Sequence, residues 1–283
     1  MEYRTYRPGP PLADHVAYMW ALRDRAVHSQ ERIVPSGTLE LVVNLNEDAL
    51  CIFHPRLGAW RRYSGAVVSG AYGGYFVIDT RDHASIVGVH FKPGGALPFV
   101  NAPPGELADR HVDLEVLWGR SAIAMRERLV TTATTADRFA VLEDVLRSHL
   151  PTARPGHPAV PVALDQLARP RTTVGEIAAS LELSRRRLIE VFTAEVGMTP
   201  KRLGRVLRFQ RASALARRAA APDWGRLAVT CGYFDQSHLI HDVREFTGTS
   251  PSQLGPASEQ VKELHLAVPA GVKFLQDADQ PSP

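Results

Sequence analysis

The chain has 283 residues, of which 45% are hydrophobic and 22% are charged, a composition typical of a globular protein with about two domains. Its apolar runs fall short of the about 18 residues of a membrane helix, and the N-terminus has no apolar core behind a basic head. We therefore expect no membrane partner and no signal peptide. The two cysteines, Cys51 and Cys231, are too few for a disulfide framework, so we expect a cytoplasmic protein.

Short predicted strands fill the first half of the chain. Turn-forming Gly, Pro, Asn and Asp residues separate runs that are rich in β-branched and aromatic residues. The segment TLELVVNLN alternates imperfectly, which suggests a strand buried on both faces. Many short strands predict a barrel or a sandwich. The predicted strands are His15–Leu22, Arg32–Asn44, Ala49–His54, Ala66–Ser69, Gly74–Asp79 and Ala84–Phe91.

Two predicted helices follow, at about Leu114–Val130 and about Ala136–Leu150. Their apolar residues recur at helical spacing, so the helices can form an antiparallel pair on the barrel. The sequence leaves open whether this pair only caps its own domain or also supports a dimer. The apolar series is Ile123, Leu129, Phe139, Leu142, Val145 and Leu146.

A linker is predicted at Leu150–Pro161, which has four prolines after its first residue and no apolar periodicity. The domain boundary then falls near Arg154–His157, and the two halves are expected to move relative to each other. The expected divisions are a domain over 1–153, a linker over 154–161, a domain over 162–256 and a tail over 257–283.

The second half is organised around a predicted basic helix, Pro200–Ala220. At about 1.5 Å per residue it spans about 31 Å, close to one turn of B-DNA, about 34 Å. Residues 159–255 hold 14 Lys and Arg against 9 Asp and Glu, whereas the rest of the chain holds 19 against 21, so basic charge concentrates here. The arginines on the other faces of this helix are Arg202, Arg205, Arg208, Arg211, Arg217 and Arg218.

A sequence repeat flanks the basic helix. VGEIAASLELSRRRLIEVFTAEVGMTPKRL and WGRLAVTCGYFDQSHLIHDVREFTGTSPSQL align with one extra residue in the second copy, near Cys231-Gly232. Each copy predicts a short helix, a tight turn, a capping residue and a longer helix that ends at a glycine, which is a helix-turn-helix pattern. The expected helices are a leading helix Val162–Ala168, supporting helices Val174–Leu181 and Gly225–Thr230, and recognition helices Ser184–Val196 and Asp235–Thr247.

The segments IAASLELSRRRLIEVFTAEVGMTP and LAVTCGYFDQSHLIHDVREFTGTSP resemble the two helix-turn-helix units of AraC/XylS-type transcription regulators, and the resemblance covers about Pro158–Pro256. Three further stretches, RIVPSGTLELVVNLN, IVGVHFKPGGALPFV and GELADRHVDLEVLWG, resemble a subgroup with a cupin-like sensor domain. The resemblance implies an α+β two-domain fold: an N-terminal cupin-like β-barrel or sandwich with a helical pair, then an all-α double helix-turn-helix domain. It also implies binding to the major groove of double-stranded DNA, a small-molecule effector of unidentified nature, contact with RNA polymerase and a homodimer.

Residues at the start of a recognition helix are expected to face base edges. Arg186 suits guanine, with Arg185 or Arg187 on the DNA backbone, and Gln236 suits adenine. The alternative for the three arginines is a solvated helix surface. Leu188, Phe192, Leu239 and Val243 are expected in the core. The full set expected to bind DNA is Ser184, Arg185, Arg186, Arg187, Ile189, Glu190, Gln236, Ser237, His238, Ile240 and His241.

Two positions depart from the family pattern, in which Arg is common one turn beyond the start of each recognition helix. Glu190 can accept a hydrogen bond from cytosine N4, or it can pair with Arg186 or Arg187 at helical spacing. His241 can add a proton-dependent contact.

The competing class is an enzyme: a cupin-type metal-dependent catalyst with a basic helical appendage. His83, His90 and His111 are available, but they lack the His-x-His spacing of such enzymes, so we expect no catalytic residue, no metal and no cofactor. A DNA-repair methyltransferase would need an activated cysteine among metal-binding cysteines, and Cys51 stands alone. An architectural DNA binder without a ligand is the third alternative.

Overall fold

The structure, a computed structural model, describes residues 2–23, 30–150, 155–169, 172–219 and 222–251, together with the backbone of residues 264–265. Two sheets form the N-terminal half, with the orders β1-β2-β9-β4-β7-β10 and β11-β3-β8-β5-β6. All neighbours pair antiparallel except β11, which pairs parallel with β3. The strands are β1 (Glu2–Tyr6), β2 (Val16–Arg23), β3 (Gln30–Ile33), β4 (Glu40–Asn44), β5 (Leu50–His54), β6 (Ala59–Tyr63), β7 (Ala66–Ser69), β8 (Phe76–Asp79), β9 (Ser85–Phe91), β10 (His111–Asp113) and β11 (Leu264–His265).

This β-sandwich confirms the predicted fold class, with two differences in the strands. The predicted strand Arg32–Asn44 is two strands, because the chain leaves the sheet through a loop over residues 34–39 in which Gly37 has a φ of 80°. The strands β1, β6, β10 and β11 were not predicted, and all four lie at the edges of their sheets. Because β1 is partly and β6 largely exposed, neither carries the apolar alternation that marks a half-buried strand.

The six-stranded sheet is buried on both faces, as the imperfect alternation of TLELVVNLN predicts. Leu41 and Val43 are buried in the main hydrophobic core. Successive side chains of a strand point to opposite faces. Glu40 and Val42 alternate with Leu41 and Val43 along β4. They therefore face the other way and line a cavity between the two sheets.

The predicted helical pair packs on the β-sandwich as α1 (Leu114–Trp118), α2 (Arg120–Thr131) and α3 (Thr135–His149). The helix predicted over Leu114–Val130 is interrupted at Gly119, whose φ of 58° breaks the helical path. Ile123 was predicted in the core but is exposed, and Met125 is buried on the packed face of α2 in its place. On α3, Phe139 stacks on Tyr6 with 5.6 Å between ring centroids, which fixes α3 to the edge strand.

The C-terminal half is all-α, with helices close to the predicted positions. Its helices are α4 (Ala159–Leu167), α5 (Val174–Ser180), α6 (Arg185–Val196), α7 (Pro200–Arg218), α8 (Trp224–Thr230) and α9 (Gln236–Thr247). Thr199 caps α7 by accepting from the amide of Arg202, and the helix ends at Arg218, two residues before the predicted end. None of the helices in the described parts of the chain is both long enough and apolar enough to cross a membrane.

The two halves are packed together, which differs from the expectation of halves that move independently. A Cβ added at Gly37 would lie 2.6 Å from Cδ1 of Leu203 in α7. Nε2 of Gln210, also in α7, donates a hydrogen bond of 3.1 Å to the carbonyl of Pro35. The described end of the predicted linker is held as well, because the amide of His157 donates to Oε1 of Glu195 in α6 at 2.6 Å. The tail predicted over 257–283 lies outside the described residues, except for the backbone of residues 264–265.

Candidate nucleic-acid interface and internal cavity

The two helix-turn-helix units repeat at the level of single hydrogen bonds. The amide of Leu183 donates to the carbonyl of Ala178 at 3.0 Å, and in the second unit the amide of Tyr233 donates to the carbonyl of Ala228 at 2.9 Å. Leu183 therefore matches Tyr233. The extra residue of the second copy is Phe234, which corrects the predicted position near Cys231-Gly232.

Both recognition helices begin at a capped N-terminus. The side chain of Ser184 accepts from the amide of Arg187 at 3.1 Å, and that of Asp235 accepts from the amide of His238 at 2.7 Å. Each cap satisfies a helix amide that has no partner within the helix. The predicted starts of these helices agree with the observed ones to within one residue, because capping residues mark where a helix begins.

In α6 the expected DNA-binding residues lie on one exposed surface. The side chain of Arg186 is 90% exposed, and its Nε lies 2.8 Å from Oε1 of Glu190. Nη1 of Arg187 lies 3.9 Å from the other oxygen of the same carboxylate. Glu190 therefore pairs with arginines at helical spacing in this DNA-free structure. Ser184, Arg185 and Ile189 are exposed beside this pair, and Leu188 and Phe192 are buried.

In α9 the expected residues are less uniformly exposed. Gln236, Ser237 and His241 are exposed, whereas His238 and Ile240 are half-buried. The ring of His238 stands edge-on to that of Tyr233, with centroids 5.2 Å apart, so this histidine supports the turn. Nε2 of His241 lies 3.7 Å from a carboxylate oxygen of Glu245. Leu239 and Val243 are buried, as predicted for the inner face.

The arginines at the start of α7 are not free for DNA. Arg202 and Arg205 both pair with Glu245, and Nη2 of Arg205 lies 2.6 Å from Oδ1 of Asp242. Both guanidinium groups also lie over the ring of Phe246. Burial alone would raise the pKa of Glu245, but the two arginines outweigh it and hold that pKa below its usual range. These arginines therefore join α7 to α9.

Sequence reasoning missed two exposed apolar side chains beside the second recognition helix. Phe234, the extra residue of the repeat, is 90% exposed directly before the N-cap of α9, and Val229 in α8 is 62% exposed. The one-residue mismatch of the repeat was the available signal, because an insertion beside a recognition helix adds a side chain that the first unit lacks.

The internal cavity has a volume of about 90 Å³ and lies between the two sheets. One row of paired residues crosses the six-stranded sheet at this point: Tyr18 opposite His90, His90 opposite Glu40, Glu40 opposite Ser69, and Ser69 opposite His111. All but His90 line the cavity. Residues of two loops, 34–39 and 70–75, also line the cavity, and the first of these loops contacts α7.

The three histidines considered as metal ligands are engaged separately. Nε2 of His90 lies 3.1 Å from Oγ1 of Thr38, Nδ1 of His83 lies 2.7 Å from the carbonyl of Asp79, and Nδ1 of His111 lies 2.6 Å from the hydroxyl of Tyr72. Burial holds the pKa of His111 well below its usual value, helped by the neighbouring His54 and His83. Within the described parts of the chain, no three His, Cys, Asp or Glu residues converge as a metal site would require.

The two cysteines have the environments of structural thiols. Cys231 is fully buried. Burial and the carboxylate of Asp82 raise the pKa of Cys51 to about 11, the opposite of the shift that activates a nucleophilic thiol.

Two capped recognition helices, each beside a supporting helix and joined by one long helix, define a DNA-binding protein of the helix-turn-helix class. A family model described as a helix-turn-helix domain matches residues 177–255, and one described as a domain of unknown function, DUF6597, matches residues 4–113. A search of the curated proteins finds no match.

Solved structures that resemble this chain include three with low identity. ToxT from Vibrio cholerae is 7% identical, with 89% of this chain and 97% of that chain covered and a TM-score of 0.45. A probable AraC family transcriptional regulator from Rhodopseudomonas palustris is 24% identical (35% and 94% covered, TM-score 0.31). The C-terminal domain of AraT, a response regulator from Geobacillus stearothermophilus, is 22% identical (35% and 84% covered, TM-score 0.32). These likenesses are too weak to add to the two family models.

The paired units and the match of residues 177–255 identify the chain as a DNA-binding transcription regulator with a helix-turn-helix domain. Its helix-turn-helix domain follows an N-terminal β-sandwich with packed helices.

Proposed function

We propose that this regulator is of the AraC type and reads an asymmetric DNA site through the exposed N-terminal residues of α6 and α9. The observation that carries the proposal is the repeated pair of capped, exposed recognition helices on one rigid long helix. Because α6 presents three arginines and α9 presents Gln236 and Ser237, the two blocks of the site differ in sequence. Arg186 would contact a guanine, Arg185 and Arg187 the DNA backbone, and Gln236 an adenine.

Selection from a random DNA pool by the full-length protein tests this proposal. We expect two blocks about one helical turn apart, about 34 Å. If about eight phosphates are neutralised, the log–log salt slope of binding is about −7. Arg186→Ala should relax selection in one block and Gln236→Ala in the other, by about 1–3 kcal/mol for each lost base contact.

Arg169→Ala is the matched control, since Arg169 is an exposed arginine with its own i,i+4 carboxylate, Asp165, on α4. It should leave both blocks unchanged. An enriched site that responds equally to all three variants would contradict the assignment of the two helices.

The second part of the proposed function is that a small-molecule effector in the cavity changes DNA binding. The loop at residues 34–38 supports it, because Val34, Pro35, Ser36 and Thr38 line the cavity while Gly37 and Pro35 contact α7. On the other side of the polar row, an added Cβ at Gly73 would lie 3.1 Å from Nε of Arg202. An occupant of the cavity would therefore act on both loops that hold α7.

A pair of glycine variants tests this coupling. Gly37 and Gly58 both have a left-handed φ, but an added Cβ would meet Leu203 at Gly37 and nothing within 4 Å at Gly58. Alanine therefore imposes similar backbone strain at both positions, and the contact with α7 is altered only at Gly37. We expect Gly37→Ala to change DNA affinity at least threefold more than Gly58→Ala. Equal affinities would mean that the loop does not act on α7.

The domain divisions at 153, 161 and 256, the homodimer, contact with RNA polymerase and a cytoplasmic location stay predictions. For a dimer, the exposed apolar residues Val116, Ile123 and Val130 on α1 and α2 supply a surface. Sedimentation of the full-length protein with and without Ile123→Glu would test it.

A further inference from the structure

We propose that the cavity takes a small protonated amine with an apolar body, and that Glu40 is the anion that binds it. This inference rests on the proposed effector response and names the chemical class of the effector.

Glu40 stands at the centre of the polar row, and its hydrogen bonds to described residues all use one carboxylate oxygen. Its Oε1 accepts from Nε1 of Trp20 at 3.2 Å and lies 2.9 Å from Nδ1 of His90. In the part of the chain that the structure describes, Oε2 of Glu40 has no hydrogen-bond donor. The side chain is three-quarters buried, and Glu40 lines the cavity. A carboxylate at this depth gains most from a cationic partner that also donates hydrogen bonds.

Acidic side chains outnumber lysine and arginine in the described lining. Among the described residues that line the cavity there are two carboxylates, Glu31 and Glu40, and neither Lys nor Arg. An anionic ligand would lose its hydration and meet the like charge of Glu40, whereas an ammonium group would meet opposite charge. The sign of the lining therefore selects against carboxylic acids and for amines.

Aromatic rings surround the same carboxylate. Tyr3 stacks on Trp20 with centroids 6.3 Å apart, and Tyr18 stacks on His90 at 4.8 Å. Burial raises the pKa of both tyrosines, and the charge of Glu40 raises it further, which is consistent with a carboxylate close to both phenols. Ring faces attract ammonium groups, so aromatic residues and Glu40 act on the same cation.

The rest of the cavity sets the size and polarity of the ligand body. Its walls are aliphatic, including Leu22, Val42, Ile52 and Ile86. A short alkyl chain suits walls of this kind. Butylamine is therefore the probe. Like the side chain of lysine, whose pKa is about 10.4, an alkylamine is protonated at pH 7.

The test compares butylamine, butanol and butyrate on the full-length protein without DNA, by calorimetry and by thermal unfolding at fixed pH and ionic strength. The three probes share a four-carbon body and differ in the head group. We expect saturable binding of butylamine, at least tenfold tighter than butanol, and no binding of butyrate. Butyrate or butanol binding as tightly as butylamine would overturn the proposal, as would the absence of butylamine binding.

Glu40→Gln should lower the affinity for butylamine at least tenfold. Glu127→Gln, on the exposed surface of α2, should leave that affinity unchanged. If the Glu40→Gln variant does not fold, the affinities of the unaltered protein for the three probes still test the proposed ligand class. Binding of the DNA site selected above is measured separately. Sequence-specific DNA binding without butylamine binding would contradict only the proposed ligand class. Butylamine binding without any selected DNA site would contradict the proposed function and support the ligand class.

Discussion

The guanidinium of Arg205 lies 2.6 Å from the carboxylate of Asp242, whose side chain is completely buried, and this contact joins the long helix α7 to the second recognition helix α9. Removing one partner of a buried ion pair costs about 3–5 kcal/mol. Because Glu245 still pairs with Arg205 when Asp242 is removed, the loss should lie at the lower end of that range. We expect Asp242→Ala to lower the free energy of unfolding by about 3 kcal/mol, measured by urea denaturation.

The matched control is Asp144→Ala, which breaks the exposed pair between Asp144 and Arg128, 2.8 Å apart. An exposed pair contributes at most about 1 kcal/mol. Equal losses in the two variants would show that the Arg205–Asp242 contact does not stabilise the fold.

The repeat predicts opposite effects at one turn position in the two units. Glu182 and Gly232 occupy matching turns with φ of 54° and 80°, a conformation that costs a residue with a Cβ about 1–2 kcal/mol. We expect Glu182→Gly to stabilise the protein by about 1 kcal/mol and Gly232→Ala to destabilise it by about as much. Glu182→Ala separates loss of the carboxylate from relief of strain, and it should not stabilise. Thermal and urea unfolding measure all three.

Glu190 is expected to limit DNA affinity. Because its carboxylate pairs with Arg186 and Arg187, Glu190→Ala leaves both arginines available to phosphates. Non-specific affinity should rise, and the log–log salt slope should steepen by about 1–2. Asp165→Ala removes the same charge from α4 and should leave the slope unchanged. Titrations at four salt concentrations distinguish the two results.

Phe234 is expected to contribute to DNA binding without contributing to stability. Its ring is almost fully exposed, so Phe234→Ala should change the free energy of unfolding by about 0.5 kcal/mol or less. Apolar side chains contact thymine methyl groups in the major groove, so affinity for the selected site should fall at least threefold. Leu57→Ala, at an exposed apolar residue of the β-sandwich, should change neither quantity. A large loss of stability at Phe234 would point to a packing role instead.

Acid should destabilise the N-terminal half through its buried histidines. The pKa of His111 in the folded protein lies well below 6.5, so the unfolded chain binds more protons between those two values. The contribution of His111 to stability is therefore complete above about pH 6.5 and falls as the pH drops below it. His111→Gln should flatten the dependence of the melting temperature on pH between 7.5 and 5.5. A wild-type melting temperature that is constant over this range would contradict the argument.

The sequence predicted the C-terminal half more closely than the N-terminal half, for local reasons. Ser184 and Asp235 mark helix starts through hydrogen bonds to residues three positions away, so a short window contains the signal. Edge strand β6 lacks such a signal, because almost all of its side chains are exposed. The roles of Arg202 and Arg205 were also beyond prediction, since their partners lie about 40 residues away in the chain. The exposed position of the candidate DNA residues followed from periodicity, but the cavity depends on pairing between distant strands.

If the proposed coupling through the loop at residues 34–38 holds, DNA binding either weakens or strengthens the binding of a cavity ligand. Its residues line the cavity, and the same loop contacts α7. Two ligands that act on one shared segment obey reciprocity: if an occupant changes DNA affinity by some factor, DNA changes the affinity for the occupant by that same factor. The apparent affinity of the cavity for its ligand therefore depends on whether the protein is bound to DNA. A molecule bound at its DNA site and one free in solution respond to different concentrations of the same ligand.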